Sequence, residues 1–295
     1  MFLVFHQAAL GDFLLTFPLL RALDGPVALV APWQRAALAA QVLPHVTPVD
    51  IEQFEFTRMF VPGGPTHLSP MVRELFEQTQ TAISFIGAEH KDWRENLTNR
   101  LAHAKRYFVD PRPAGDGDRH ITLGHRSQLE AQGLSLEPAQ PMPRRNPGGP
   151  IVVHPGSGGL VKCWPTERYE RLMGRLKDAG HAVVPVLGEV EAERWPGEQL
   201  TRWVDTLGAK VCRSPLELLP ILTSASLYIG NDAGPTHLAA QLGITTLALF
   251  GPTSPARWGP VGPCVTVLSP PDGPSTMDWL NVEAVLDAVA MPGAR

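Results

Sequence analysis

Two short apolar runs near the C-terminal third of the chain enclose a loop of small residues and an apolar helix. The runs Ser226 to Gly230 and Thr245 to Phe250 are typical of buried strands, and Pro235 to Leu242 is typical of a helix. Strand, loop, helix and strand in this order predict a βαβ unit, which requires a parallel sheet. The helix start would then present backbone N–H groups that suit a phosphate or diphosphate.

The loop and the first helical turn supply candidate ligand-binding residues. Asp232, Ala233 and Gly234 form the loop, Pro235 suits the first helical position, and His237 follows in the same turn. From these residues alone, an ordinary loop in which Asp232 forms an Asx-turn is an equally good interpretation.

The chain alternates strands and helices on both sides of an irregular segment. That segment, Glu137 to Pro150, is dense in Pro, Gly and Arg and is typical of a linker. Two consecutive series of this kind predict two doubly wound α/β domains, which we place at residues 1–147 and 148–275. A last helix is predicted from Thr276 onward.

Several blocks of the chain carry a family resemblance. DAGPTHLAA at 232–240, ALFGPTSP at 248–255 and ALGDFLLTFP at 9–18 resemble glycosyltransferase family 9, the ADP-heptose:lipopolysaccharide heptosyltransferases. The resemblance implies a GT-B fold, in which two Rossmann-like domains face a cleft. It also implies that the first domain binds the acceptor, that the second binds the nucleotide sugar, and that residues 276–295 cross back to the first domain.

Asp12 is the candidate general base. It follows the first predicted strand, at the sheet edge where doubly wound folds bind ligands. A carboxylate there could deprotonate a hydroxyl, but from the residues alone the more common function, complementing the N-terminus of the first helix, is favoured. The resemblance to the family's N-terminal block favours the base.

The resemblance also assigns donor-binding residues in the second domain. The block from His154 to Pro165 is similar to the family's donor loop, in which a lysine contacts the donor phosphate; here Lys162 matches it, and Ser157 is our candidate for the assisting hydroxyl. A ribose-binding glutamate is expected at 189, 191 or 193, and we prefer Glu193. Asp232, Ala233, Gly234 and His237 are expected to line the donor pocket, with Asp232 contacting sugar or ribose hydroxyls.

Lys91, Arg94 and Arg100 are candidate acceptor contacts in the first domain. They belong to a basic stretch that would suit an acidic or phosphorylated glycolipid, which is the kind of acceptor that the resemblance implies. From the residues alone, a solvated helix face is the favoured explanation of the same charges.

Composition limits the remaining possibilities. The net charge of -4 argues against nucleic-acid binding, and the sequence holds no His, Cys or Asp cluster with metal-ligand spacing. Three widely spaced cysteines are typical of a cytoplasmic protein, and no run reaches the length of a membrane-spanning helix. We expect a cytoplasmic protein without a cofactor, in contact at most with the inner membrane surface.

These observations favour an inverting, metal-independent glycosyltransferase. The nucleotide-diphosphate sugar is its substrate, by resemblance ADP-heptose, and a glycan or glycolipid such as lipopolysaccharide core is the acceptor. A nucleotide-sugar epimerase or hydrolase on the same fold, and a non-catalytic nucleotide-sugar-binding protein, are the alternatives.

Overall fold

The structure, a computed structural model, describes residues 1–86, 90–113, 117–139, 142–273 and 275–290 of the 295-residue chain. The chain forms two compact units, Met1–Gln140 and Pro141–Arg295. Each unit contains a parallel sheet with helices in the connections.

The first unit is built on five parallel strands in the order β3-β2-β1-β4-β5. The strands are β1 Phe2–Phe5, β2 Val27–Ala31, β3 Val46–Asp50, β4 Thr81–Ser84 and β5 Lys105–Phe108. The helices are α1 Leu10–Leu14, α2 Phe17–Leu20, α3 Trp33–Val42, α4 Phe54–Thr57, α5 Pro70–Gln78, α6 Lys91–Arg100 and α7 Ile121–Ala131.

Apolar strands explain the core of this unit. β2 is buried along its whole length, as expected for a strand covered on both faces of a parallel sheet. The Phe5 ring of β1 meets the ring edges of Phe56 and Trp93, with centroid distances of 6.0 and 5.1 Å. The sheet and its helices therefore close around one aromatic core.

The second unit is built on six parallel strands in the order β11-β10-β9-β6-β7-β8. The strands are β6 Ile151–His154, β7 Val183–Leu187, β8 Lys210–Val211, β9 Leu227–Asn231, β10 Thr246–Leu249 and β11 Val265–Leu268. The helices are α8 Thr166–Asp178, α9 Glu189–Arg194, α10 Gly197–Thr201, α11 Pro215–Thr223, α12 Gly234–Gln241, α13 Pro255–Trp258 and α14 Val282–Ala290.

Both sheets reverse their strand order at one point. The reversal lies between β1 and β4 in the first unit and between β6 and β9 in the second. Loops that leave the carboxyl ends of strands beside such a reversal diverge and form a crevice where ligands bind. The prediction of two doubly wound α/β units is confirmed, and the reversals indicate where to look for a site in each.

The region after β1 contains two short helices. The run from Gly11 to Leu23 is typical of a single helix in sequence, but α1 ends at Leu14 and α2 begins at Phe17. Pro18 lies in the first turn of α2, where a helix begins readily because the missing proline N–H needs no partner there.

Residues near both ends of the second unit are attached to the rest of that unit. The Arg145 N–H, within the predicted linker, donates to the Gly243 carbonyl at 2.8 Å. At the other end, α14 packs against α8, and Val282 and Val285 join the core of the second unit. The return of residues 276–295 to the first domain stays a prediction, and residues 291–295 lie outside the described range.

Among the helices described, none is long and apolar enough to cross a membrane.

Candidate functional site

The loops at the reversal of the second sheet bring Lys162 and Asp232 together. β6 and β9 are neighbours, with His154 opposite Gly230, so the loop after β6 and the loop after β9 leave the sheet side by side. Lys162 Nζ donates to Asp232 Oδ2 at 2.7 Å. Residues 70 positions apart in the sequence therefore form one ion pair at the predicted ligand-binding edge.

The Asp232 carboxylate is the centre of a wider network. Thr253 Oγ1 donates to the same oxygen, Oδ2, at 2.8 Å, and His237 Nε2 lies 3.5 Å from Oδ1. The Asp232 side chain is 7% exposed and that of Lys162 is 33% exposed. The network thus holds a nearly buried anion beneath a cation that solvent or a ligand can still reach.

This environment fixes the charge of Asp232. Burial by itself raises the pKa of the carboxyl group, but His237 and Lys162 lower it more, to about 2. Asp232 is therefore ionised near neutral pH and forms a charge-assisted contact with Lys162. The sequence-based interpretation gave Asp232 free hydroxyl-binding capacity, whereas Oδ2 here already accepts two hydrogen bonds.

Ser157 and Asn231 hold the glycine-rich loop after β6 in place. Ser157 Oγ donates to the Asp232 carbonyl at 2.9 Å, and Asn231 Nδ2 donates to the Pro155 carbonyl at 2.7 Å. Asn231 Oδ1 accepts from the Trp164 N–H and from the Tyr169 hydroxyl, both at 3.0 Å. One buried amide therefore connects the beginning and the end of the loop that carries Ser157 and Lys162.

The helix start after Asp232 offers fewer N–H groups than the sequence suggested. Gly234 rather than Pro235 occupies the first helical position, with Ala233 as the N-cap. The N–H groups of Thr236 and His237 both donate to the Ala233 carbonyl. Pro235 has no N–H, and the N–H groups of Thr236 and His237 are used within the turn. The Gly234 N–H is therefore the donor that remains for a ligand.

Glu191 is the buried carboxylate among the three candidates for a ribose contact. It is buried, it accepts from the Gly188 N–H at 2.7 Å, and it lies 3.3 Å from His154 Nε2. Burial raises the pKa of Glu191, but the contacts with His154 and the Gly188 N–H outweigh that effect and lower it. Glu189 and Glu193 are exposed, so the preference for Glu193 stays a prediction.

Glu191 also explains a glycine of the loop after β6. A Cβ atom at Gly156 would lie 1.8 Å from Glu191 Oε1, so only glycine fits against this carboxylate without rearrangement. At Gly158, two residues on, a Cβ atom would meet nothing within 4 Å. The loop is therefore packed tightly at one glycine and open at the other.

In the first unit, Asp12 lies beside the sheet reversal, in the first turn of α1. Its Oδ2 forms an ion pair with the Arg112 guanidinium, and the two side chains are 18% and 63% exposed, respectively. Asp12 is thus partly accessible and is held by a cation that the sequence-based interpretation did not select.

The three predicted acceptor residues have different surroundings. Lys91 is exposed at the start of α6. The Arg94 guanidinium stacks over the Phe108 ring, 4.4 Å from its centroid, and Arg100 donates to the Pro65 carbonyl. Arg100 therefore supports the adjoining loop, while Lys91 and Arg94 present charge at the surface, and acceptor binding by all three stays a prediction.

Asn231, Thr253 and Arg112 are site residues that the sequence-based interpretation missed. Asn231 ends an apolar strand directly before the block at 232–240, and Thr253 ends the Gly-Pro-Thr turn after β10, within the block at 248–255. Arg112 had no such signal, because only the fold brings it to Asp12. Of the residues described, no three His, Cys, Asp or Glu side chains form a group that could hold a metal ion. The sequence Asp116-Gly117-Asp118 resembles an Asp-x-Asp metal motif, but it follows a stretch rich in Pro and Gly, which predicts a polar loop; Asp116 lies outside the described residues.

A family model for glycosyltransferase family 9, described as heptosyltransferase, matches residues 125–277, just over half of the chain. This chain belongs to glycosyltransferase family 9. The match spans the glycine-rich loop, Lys162 and the Asp232 network, so the residues assembled at the second reversal lie within the family's own domain.

Curated family 9 proteins match shorter stretches. Lipopolysaccharide heptosyltransferase 3 of Escherichia coli K12 is 29% identical over 115 residues, which is 37% of this chain. Lipopolysaccharide heptosyltransferase 1 of Pseudomonas aeruginosa is 31% identical over 118 residues, 40% of this chain. In both cases the match spans 33%, about a third, of the relative's length.

Solved structures match the whole chain in fold. Escherichia coli heptosyltransferase WaaC with ADP superposes with a TM-score of 0.69 at 20% identity, covering 99% of both chains. Escherichia coli ADP-heptose lps heptosyltransferase II gives a TM-score of 0.71 at 16% identity, covering 98% of this chain and 97% of the other. The two parallel-sheet units thus have the GT-B fold of these heptosyltransferases.

Proposed function

We propose that this protein transfers heptose from ADP-heptose to a glycan or glycolipid acceptor of the lipopolysaccharide type, with inversion and without a metal ion. The observation that carries the proposal is the Lys162–Asp232 ion pair at the reversal of the second sheet, with Ser157, Thr253 and His237 around it. It provides a cation, a helix start and a glycine-rich loop of the kind that binds a diphosphate.

The donor diphosphate would bind at Lys162. Its oxygens would accept from Lys162 Nζ, which is partly exposed while its counter-ion Asp232 is nearly buried. The Gly234 N–H and the positive end of the α12 dipole would add to this contact. These groups would stabilise the negative charge that develops on the leaving diphosphate as the bond between its oxygen and the sugar's anomeric carbon breaks.

Asp12 would act as the general base. The acceptor hydroxyl oxygen would form a bond with the anomeric carbon from the face opposite the diphosphate, and its proton would pass to Asp12. The diphosphate would leave with the bonding electron pair as ADP. Attack from the opposite face inverts the anomeric configuration, and the transition state would resemble an oxocarbenium ion, as in glycoside hydrolysis.

The identities of the substrates come from similar proteins. The names of the matched relatives describe lipopolysaccharide heptosyltransferases, and WaaC has been solved with ADP and with ADP-2-deoxy-2-fluoro heptose. Lys91 and Arg94, which are exposed in the first unit, would suit an anionic acceptor. We place the reaction in the cytoplasm, at the inner surface of the membrane that carries the acceptor.

A thermal-shift screen of ADP-, UDP- and GDP-sugars tests the donor assignment. A bound donor stabilises the folded state by mass action, so we expect ADP-heptose to raise the melting temperature more than the others. Preference for UDP- or GDP-sugars would contradict the proposed donor. Conversion of the donor without any acceptor would instead identify an epimerase or hydrolase, and binding without turnover would identify a binding protein.

Calorimetry and turnover of Asp12→Ala test the base. The variant should bind ADP-heptose with the affinity of the wild type but should not transfer the sugar, because its donor contacts lie in the second unit. Unchanged turnover would refute the role of Asp12.

A further inference from the structure

Arg112 is the charged residue in contact with the proposed base, and nothing in the sequence blocks pointed to it. Its guanidinium pairs with Asp12 Oδ2, although the two residues are 100 positions apart. The pair engages one carboxylate oxygen and leaves the other, Oδ1, outside it. Asp12 is therefore held through one oxygen while the second can face an acceptor hydroxyl.

The backbone that carries Arg112 is fixed from two sides. The Arg112 N–H donates to Asp110 Oδ1 at 2.8 Å. Gln128 on α7 accepts from the Asp110 N–H at 2.7 Å and donates to the Asp110 carbonyl at 3.0 Å. The segment after β5 is thus attached to α7 by a pair of hydrogen bonds, which holds the backbone from which the Arg112 side chain extends.

His125 holds Pro111, the residue between Asp110 and Arg112, in place. Its Nε2 lies 3.1 Å from the Pro111 carbonyl, which requires the proton on Nε2, and its ring packs edge-on against Phe85 at a centroid distance of 5.2 Å. Burial lowers the pKa of His125, although the nearby Asp12 carboxylate acts in the opposite direction. A neutral, buried imidazole therefore anchors the backbone immediately before Arg112.

From this arrangement we propose that Arg112 is a positioning residue for the transfer reaction, which fixes Asp12 so that Oδ1 meets the acceptor hydroxyl. The inference rests on the proposed function, since it assumes that Asp12 is the base. A general base must lie within about 3 Å of the proton it removes. A carboxylate with both oxygens free would rotate about its terminal bond and spend less time in that geometry, whereas a guanidinium on Oδ2 restrains it.

The structure favours positioning over direct substrate contact as the function of this cation. Residues of α7 hold Asp110 and Pro111, and Asp110 holds the Arg112 N–H, irrespective of any ligand, so the guanidinium approaches Asp12 from a prepared location. The Arg112 side chain is also largely exposed, which allows a small cation from solvent to take the place of its guanidinium.

Arg112→Ala with added guanidinium ion tests the proposal. We expect kcat to fall about 10- to 100-fold, because a misplaced catalytic group costs rate of that order, while the KM for ADP-heptose and its affinity by calorimetry stay at wild-type values. Millimolar guanidinium chloride should restore part of kcat, and Arg112→Lys should retain more activity than Arg112→Ala. Arg119→Ala is the matched control: Arg119 is exposed and donates to the neutral Ser127 hydroxyl, so this variant should keep full activity and show no response to guanidinium.

A double-mutant cycle with Asp12→Asn is a second test, which does not depend on recovery of activity by guanidinium. If Arg112 acts through Asp12, Arg112→Ala should cause no further loss of residual turnover in the Asp12→Asn background. Unchanged or increased kcat in Arg112→Ala, or an equal loss in both backgrounds, would overturn the role of Arg112. Those outcomes require an active wild type, so they differ from absence of transfer by the wild type, which would overturn the proposed function itself.

Discussion

Replacing Asp232 by Asn tests the electrostatic centre of the proposed donor site by a measurement of stability alone. The substitution keeps the shape of the side chain but removes the charge that Lys162 and His237 stabilise. A carboxyl pKa that falls from 3.8 to about 2 on folding corresponds to about 2 kcal/mol of stability at neutral pH. Because this side chain is nearly buried, solvent screening removes little of that amount.

The lowered pKa of Asp232 determines how its contribution to stability changes with pH. The pKa of Asp232 is depressed in the folded protein, so its contribution is complete well above pH 3.8 and is lost as the pH falls toward 2. We expect the wild type to exceed Asp232→Asn by about 2 kcal/mol at pH 7 and by about 1 kcal/mol at pH 3.

Urea unfolding followed by tryptophan fluorescence measures both values, since Trp164 and Trp203 are buried in the second unit. Asp205→Asn is a control, because Asp205 is an exposed carboxylate of the same unit and its replacement should change stability little at either pH. A stability difference between wild type and Asp232→Asn that is absent at pH 7, or that grows toward pH 3, would refute the reasoning.

Two further predictions concern the donor loop. Gly156→Ala should lower stability by about 1–3 kcal/mol in thermal or urea unfolding and weaken donor binding, because its Cβ would overlap the Glu191 carboxylate; Gly158→Ala, with open space at Cβ, should do neither. Lys162→Met should lower kcat/KM for ADP-heptose about 100-fold or more through the loss of charge stabilisation on the leaving diphosphate, whereas Lys177→Met, on the exposed face of α8, should leave steady-state kinetics unchanged. A Gly156→Ala protein as stable as the wild type, or a fully active Lys162→Met enzyme, would contradict the corresponding assignment.

The strands could be predicted from the sequence because the parallel sheets are buried. The apolar runs of β1, β2, β6 and β9 contain few polar residues, and such runs bounded by turn residues are typical of strands covered on both faces. The βαβ unit around Asp232 followed from the same signal. The site of the second unit was therefore predictable to the level of which loops form it.

The hydrogen bonds within that site could not be predicted in the same way. Asp232 was expected to contact sugar or ribose hydroxyls, because the sequence does not show that Lys162 and Thr253 share its Oδ2. The supply of N–H groups at α12 was overestimated, since it depends on whether Gly234 or Pro235 begins the helix. A shift of one residue changes which donors are free, and sequence patterns do not resolve helix ends that finely.

The contact between Asp12 and Arg112 depends on topology. It forms because β1, β4 and β5 are neighbours in the sheet, so the loops after β1 and β5 emerge at the same edge. Neither the composition near Arg112 nor its spacing from Asp12 contains that information. Long-range pairs of this kind become visible only once the strand order is known.

Incubation of the protein with ADP-heptose and a heptose-deficient lipopolysaccharide core acceptor, followed by mass spectrometry of the acceptor and quantification of ADP, tests the central claim most directly. We predict that the acceptor gains one heptose residue for each ADP released, and that Asp12→Asn forms both products only at a small residual rate. Release of ADP without any gain in acceptor mass, or no reaction of the donor at all, would contradict the assignment as a heptosyltransferase.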